Sequence, residues 1–301
     1  MVATTAALAS AQLAFRALDA PLFVSNNVIA DAEAVTLRET DADFTAATEA
    51  VAGFLESNLY DGTRATTAKL TTAVTFNVLI DAGSGNQLTA DCFIIEGHSW
   101  TDGTFGIRVS DTVDGGGLLN GTILTPQAAA TATVADRQVV FWSSTFSARY
   151  WEISYVSITS GTLTARQVWL GVQRQMRSKT RDPSDPDDDW ESTGAESNAR
   201  SGHSQSTLWS KLRAMDLNFR LISATELAAS RAVRDDTDVY IKGFWYCEDP
   251  NSDPTGSVAG GLQGRMIYGK GLSGKHLTPS VEGANRNWHI PFKEVGPRLS
   301  P

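Results

Sequence analysis

Between Asp91 and Gly171 the chain alternates apolar and polar positions in short runs separated by turn residues. Asp91-Cys92-Phe93-Ile94-Ile95-Glu96 opens the stretch, Ala148-Arg149-Tyr150-Trp151-Glu152-Ile153-Ser154-Tyr155-Val156-Ser157-Ile158 forms its middle, and Ala165-Arg166-Gln167-Val168-Trp169-Leu170-Gly171 closes it. Aromatic and β-branched residues at a period of two mark strands with one buried and one wet face. The pattern begins at Leu70. Val74–Asp81 alternates and stops at Ala82-Gly83-Ser84-Gly85, and Cys92–Ile95 reads as a buried strand. Gly106–Ser110 is stopped by Asp114-Gly115-Gly116-Gly117, and Gln138–Trp142, Tyr150–Ile158 and Thr164–Leu170 complete the set. Short strands at turn-punctuated spacing, with long Gly-rich connections, predict a mainly β fold built as a sandwich or jelly roll.

The flanks read differently. Residues 1–60 form an N-terminal arm, with Ala20–Val24 extended and a short helix over Asp41–Leu55 whose apolar side is Phe44, Val51, Phe54 and Leu55. The sandwich occupies residues 61–176. Residues 177–207, with Asp182-Pro183-Ser184-Asp185-Pro186-Asp187-Asp188-Asp189-Trp190, are a polar, Pro-punctuated excursion or linker, mobile unless a partner orders it. From 208 to 301 the pattern gives a strand at Leu212–Leu221, then a helix. Ser223 is its N-cap and Glu226 sits at N3, the spacing of a capping box. Three strands follow, at Val239–Tyr246, Arg265–Gly269 and Asn287–Val295. Strand, helix, three strands describes a small α+β module.

Composition narrows the functional classes. The 301 residues are 42% hydrophobic, with 25 Gly and 10 Pro, enough for real cores and many turns. A formal charge of −9, with no basic stripe, argues against nucleic-acid binding. Met1–Ala20 is Ala-rich but has no basic leader, and Gln12, Arg16 and Asp19 interrupt it, so it is not read as a signal peptide. No run reaches the ~18 apolar residues of a membrane span. The expectation is a soluble protein made in the cytoplasm. Cys92 and Cys247 lie far apart inside apolar runs and read as reduced, buried thiols. A long-range disulfide is the alternative and needs an oxidising compartment.

Candidate chemistry is sparse. Asp185-Pro186-Asp187-Asp188-Asp189 lacks the glycine of a calcium loop and reads as a solvated charged loop. His98, His203, His276 and His289 form no HxxxH or HxH pair, so no metal is expected. There is no GxSxG elbow, and neither Gly115-Gly116-Gly117 nor Gly260-Gly261 leads into a helix as a phosphate cradle must. No cofactor and no catalytic residue is assigned. Of the eight tryptophans, Trp151 and Trp169 sit inside strands and read as core. Trp100 follows a strand in Gly97-His98-Ser99-Trp100-Thr101-Asp102-Gly103. Standing on a loop, it would offer a ring face to a sugar, with His98, Asp102 and Arg108 as polar neighbours.

The order of these segments resembles a known family. Asp81-Ala82-Gly83, Cys92–Ser99, Ile107-Arg108-Val109-Ser110-Asp111, Ala148–Ile153 and Val168–Gly171 together look like the discoidin-like (galactose-binding-like) jelly roll of structural proteins in tailed-phage virions. The likeness covers roughly residues 60–175. It implies a non-enzymatic structural component of the virion, of tail or baseplate type, with other virion proteins as partners and a homo-oligomeric ring as its form. The sugar-binding relatives of that fold imply the alternative, a carbohydrate-binding module used in host attachment, with a surface glycan as partner and loops at one end of the sandwich as its site.

Overall fold

The structure is a computed structural model. It describes residues 21–39, 42–62, 65–119, 122–123, 137–176, 189–198, 204–219, 222–238, 242–247, 266–271, 280–282 and 285–295. In chain order the strands are β1 (Leu22–Val24), β2 (Ala34–Arg38), β3 (Ala68–Ala73), β4 (Phe76–Asp81), β5 (Leu88–Glu96), β6 (Thr104–Ser110), β7 (Thr122–Ile123), β8 (Arg137–Ala148), β9 (Tyr150–Val156), β10 (Gly161–Ala165), β11 (Gln167–Gly171) and β12 (Gln173–Gln175). They continue with β13 (Asp189–Asn198), β14 (Ser204–Phe219), β15 (Phe244–Cys247), β16 (Met266–Gly271), β17 (Ser280–Glu282) and β18 (Asn285–Glu294); helix α1 (Ala224–Asp236) separates β14 from β15.

The chain is mainly β, a jelly-roll sandwich followed by a sheet with one helix. A five-stranded sheet of order β2-β4-β9-β6-β7 faces a three-stranded sheet of order β11-β5-β8, and β3 pairs with β10. Every pairing is antiparallel. Val78 and Ile80 on β4, Trp151, Ile153 and Tyr155 on β9, and Phe105 and Ile107 on β6 point inward against Phe93, Ile95, Val168 and Leu170. Period-two alternation thus becomes one apolar interior, whose burial stabilises the fold by roughly 25 cal/mol per Å² of apolar surface removed from water.

The middle sheet is buried on its other side as well. Cys92, Ile94, Val139 and Trp169 alternate with the inward residues and pack against Leu22, Val24, Trp245, Cys247 and Tyr268. Those belong to a third sheet, of order β12-β1-β15-β16-β18-β14-β13 with β17 attached to β18. Its far face carries Phe23, Phe244, Tyr246, Ile267 and Trp288 against Leu227 and Val233 of α1. The order of layers is five-stranded sheet, three-stranded sheet, third sheet, helix. This explains the continuous burial of β11. A strand covered on both faces loses the polar half of its alternation. Both cysteines are buried at that second interface.

Several expectations change. The helix over Asp41–Leu55 does not form among its described residues. The backbone there bonds outward instead, Glu49 N–H to Leu37 O (2.8 Å) and Val51 N–H to Lys69 O (2.9 Å). Gly53 at φ +82° cannot continue a helix. Thr164–Leu170 is not one strand: Arg166 donates its amide to Glu96 O, and the chain passes from β10 to β11 in another sheet. Within the expected linker, Asp189–Asn198 pairs with β14. The rest of 177–207 below Ser204 lies outside the described residues, as do Met1–Ala20, Gly260-Gly261 and most of the acidic run. The extended segment near Val24 is strand β1, seated between β12 and β15. The capping box is present: Ser223 N–H donates to Glu226 Oε2 (2.8 Å), and Glu226 N–H donates to Ser223 Oγ (3.2 Å).

Candidate functional site

The four residues expected to gather around a sugar are not together. Trp100 lies inside, 3% exposed, its ring 4.7 Å from Phe76 and 5.0 Å from Tyr155. His98 stacks on it at 4.8 Å and is buried, with Nδ1 2.9 Å from Trp100 O. The loop Gly97–Gly103 therefore folds its aromatic side chain back over the sandwich end. A ring so enclosed has no face for a sugar. Asp102 closes the same end by accepting from the amide (3.1 Å) and hydroxyl of Thr159, and these bonds hold its carboxyl below the usual range. Arg108 belongs elsewhere, on the outer face of the five-stranded sheet, with Nη1 3.8 Å from Glu152 Oε2.

The opposite end of the sandwich carries the connected polar groups. Register aligns Ala34, Asp81, Tyr150 and Ser110 across β2, β4, β9 and β6. The next row inward on that face holds Leu79, Glu152 and Arg108. Arg149, in the one-residue turn between β8 and β9, makes a two-point contact with Asp81: Nε to Oδ1 at 2.8 Å and Nη2 to Oδ2 at 3.0 Å. Such a fork fixes both side chains more firmly than a single contact. Burial pushes the Asp81 carboxyl up, but the bonds from Arg149 and from the Gly83 amide outweigh it and hold it below the ordinary value. The same bond raises Arg149.

Three loops join this pair. Arg149 N–H donates to Asp111 Oδ1 (3.1 Å), and Gln87 Nε2 donates to the same oxygen (2.9 Å). Gly83, at φ +90°, lets its loop turn against Glu33, where a Cβ would collide with the carboxylate. Asp114 closes the next loop through the amides of Gly116 (2.8 Å) and Leu118 (2.9 Å). Gly117 O then accepts from Phe44 N–H (2.9 Å), and the Phe44 ring meets Tyr150 edge-on at 5.2 Å. The Arg149 guanidinium lies 4.5 Å from the Tyr150 ring centroid. Asp111, Gln87 and Glu33 are exposed, Asp81 and Arg149 are partly exposed, and Leu118 stands 45% exposed on the rim. Carboxylates that accept and a guanidinium that donates, beside the half-buried Phe44 ring, match the needs of a polyhydroxylated ligand. Deeper on the face, burial raises Glu152 while Arg108 opposes the shift.

Sequence reasoning missed this end because its members are far apart in the chain, Asp81 and Arg149 by 68 positions. The available signal was that Asp81-Ala82-Gly83 and Arg149-Tyr150 were already among the segments carrying the family likeness. Among the described residues no group of three or more His, Cys, Asp or Glu is placed to hold a metal ion. No helix among them is long and apolar enough to cross a membrane.

No family model matches the chain, and no curated protein does. Solved structures give low-identity likenesses over about half of it. Chitosan-binding module 1 of a Paenibacillus sp. IK-5 chitosanase/glucanase is 15% identical in a mutant form, over 49% of this chain and 98% of that one, with a TM-score of 0.36. The family 32 CBM of C. perfringens NanJ, in complex with galactose, is 13% identical over 50% and 98%, with a TM-score of 0.31. A Ruminococcus gnavus GH29 fucosidase in complex with fucose is 15% identical, with a TM-score of 0.34; the match covers 49% of this chain and 26% of the enzyme. Likenesses at this level transfer no ligand and no residue role.

Proposed function

We propose that this chain is a non-catalytic glycan-binding protein, and that the binding surface is the sandwich end built on Asp81, Asp111, Gln87 and Arg149. One observation carries the reading. Three loops and the β8–β9 turn converge there through hydrogen bonds, presenting acceptors and a fixed guanidinium beside Phe44 and Tyr150. Arg108 adds a donor on the adjoining face, its side chain 48% exposed. A rigid polar site loses little entropy on binding. The test is titration calorimetry with galactose and chitosan oligosaccharides, then a glycan array, on wild type and Asp111→Ala/Gln87→Ala. Both substituted residues are exposed, so the variant is expected to remain folded. Removing two hydrogen-bonding groups is expected to weaken binding about tenfold or more. Equal affinity in the two proteins would remove this end as the site, and an array with no bound glycan would sink the reading itself.

A second reading, a structural component of a tailed-phage virion, is favoured by one different feature. The β13–β14 hairpin extends beyond the third sheet, as an arm does that awaits a neighbouring subunit. Hydrogen exchange on the free chain and on assembled particles separates the cases, since an assembly arm gains protection only in the particle.

A further inference from the structure

A large apolar side chain stands in water beside the polar groups of the proposed glycan site. Leu118 is 45% exposed. It belongs to the loop that follows Asp111 and is closed by the bridge between Val113 and Leu119. Val113 lies two residues beyond Asp111, at most about 7 Å of extended chain. Both backbone groups of Leu118 are committed: its N–H donates to Asp114 Oδ1 (2.9 Å), and its carbonyl accepts from Asp114 N–H (2.9 Å). Gly117, at φ +77°, sets the direction of the chain just before it, and Gly117 O accepts from Phe44 N–H (2.9 Å). Leu119, 7% exposed, takes the interior position instead. Leu118 is therefore held outward by its own loop. Apolar surface fixed in water gives up its hydration cost when apolar carbon of a ligand covers it.

The charges around it favour one sign. Asp111 and Asp114 are exposed in the same loop, and the Glu33 carboxylate lies against Gly83 across the rim. Arg149 faces them already engaged, by its two-point contact with Asp81. An anionic sugar would meet net negative charge at this rim.

We propose that the Leu118 loop selects an uncharged glycan with a methyl group beside its hydroxyls, the methyl of an acetamido substituent or that of a 6-deoxy sugar. The hydroxyls bind at Asp111, Gln87 and Arg149, and the methyl group packs on Leu118. This rests on the glycan-binding reading and adds the class of sugar.

Titration calorimetry on the full chain tests it with two matched pairs. One pair is N-acetylglucosamine against glucose oligosaccharides of the same linkage, and the other is L-fucose against L-galactose. Wild type is expected to bind the methyl-bearing member of one pair about fourfold more tightly, the affinity equivalent of removing one methyl-sized group from water. The pair that shows the preference identifies the source of the methyl group. Leu118→Ser is expected to bring that ratio to about one, and Leu118→Met to keep it. A sialylated oligosaccharide is expected to bind more weakly than any of the neutral sugars. Equal affinities within both pairs, a preference that survives Leu118→Ser, or tighter binding of the sialylated sugar would each overturn the proposal. The glycan-binding reading survives those outcomes where Asp111→Ala/Gln87→Ala still weakens binding. Absence of binding to every sugar overturns that reading and the proposal together.

Discussion

Asp91→Asn gives a quantitative test of how the layers are joined. Asp91 sits on β5 and is 7% exposed, and its Oδ1 accepts from Gln173 N–H at 2.7 Å where the chain leaves β11 for the third sheet. Burial drives its pKa from 3.8 to about 6, against the opposing pull of the Gln173 amide and of Arg174. Arg174 in turn lies 3.8 Å from Asp236 at the end of α1, which accepts from Ser25 Oγ (2.7 Å). A raised carboxyl binds its proton more tightly in the folded state than in the unfolded one. Its stabilising contribution is thus complete below pH ~3.8 and is lost as pH rises through ~6. The difference of about two units corresponds to about 3 kcal/mol, at 1.36 kcal/mol per unit. Asparagine keeps an oxygen for the Gln173 amide and cannot ionise. Urea unfolding of both proteins from pH 4 to pH 7 should show the variant gaining on wild type through that window, by up to about 3 kcal/mol, and then levelling off. A stability difference that stays constant across those pH values would refute the reasoning, because groups common to both proteins cancel in it.

Three further outcomes follow from the same geometry. Trp100→Ala should destabilise the fold by about 3–5 kcal/mol in chemical denaturation, with binding per folded molecule unchanged, since the ring is core. Ser223→Ala removes half of the capping box and should cost about 1 kcal/mol, read as a lowered denaturant midpoint at constant slope. Gly83→Ala meets both a positive φ and the Glu33 carboxylate; its loss should exceed ~1 kcal/mol in the same assay, and a neutral result would contradict the tight turn.

Much of the architecture was legible because it is local. Ser223 and Glu226 declare a helix start through their spacing alone, and α1 begins there. The alternation in Val74–Asp81 and Tyr150–Ile158 gives strands because a pleated backbone sends successive side chains to opposite sides. Trp151 and Trp169 read as core and are buried. β2 was overlooked although Val35 and Leu37 alternate with Thr36 and Arg38; five residues are too few to stand out beside the longer runs.

What the pattern could not supply is the partner of each buried face. Trp151 and Trp169 look alike in sequence, yet one lies between the two sheets of the sandwich and the other against Trp245 and Tyr268 of the third sheet. Trp100, in a loop with polar neighbours, read as exposed, and the fold turned it onto Phe76 and Tyr155. The Arg149–Asp81 pair exists only because β4 and β9 are neighbours in one sheet. Hydrophobic periodicity records that a side chain leaves water. Which surface receives it depends on contacts between segments distant in the chain, and only the tertiary structure decides those.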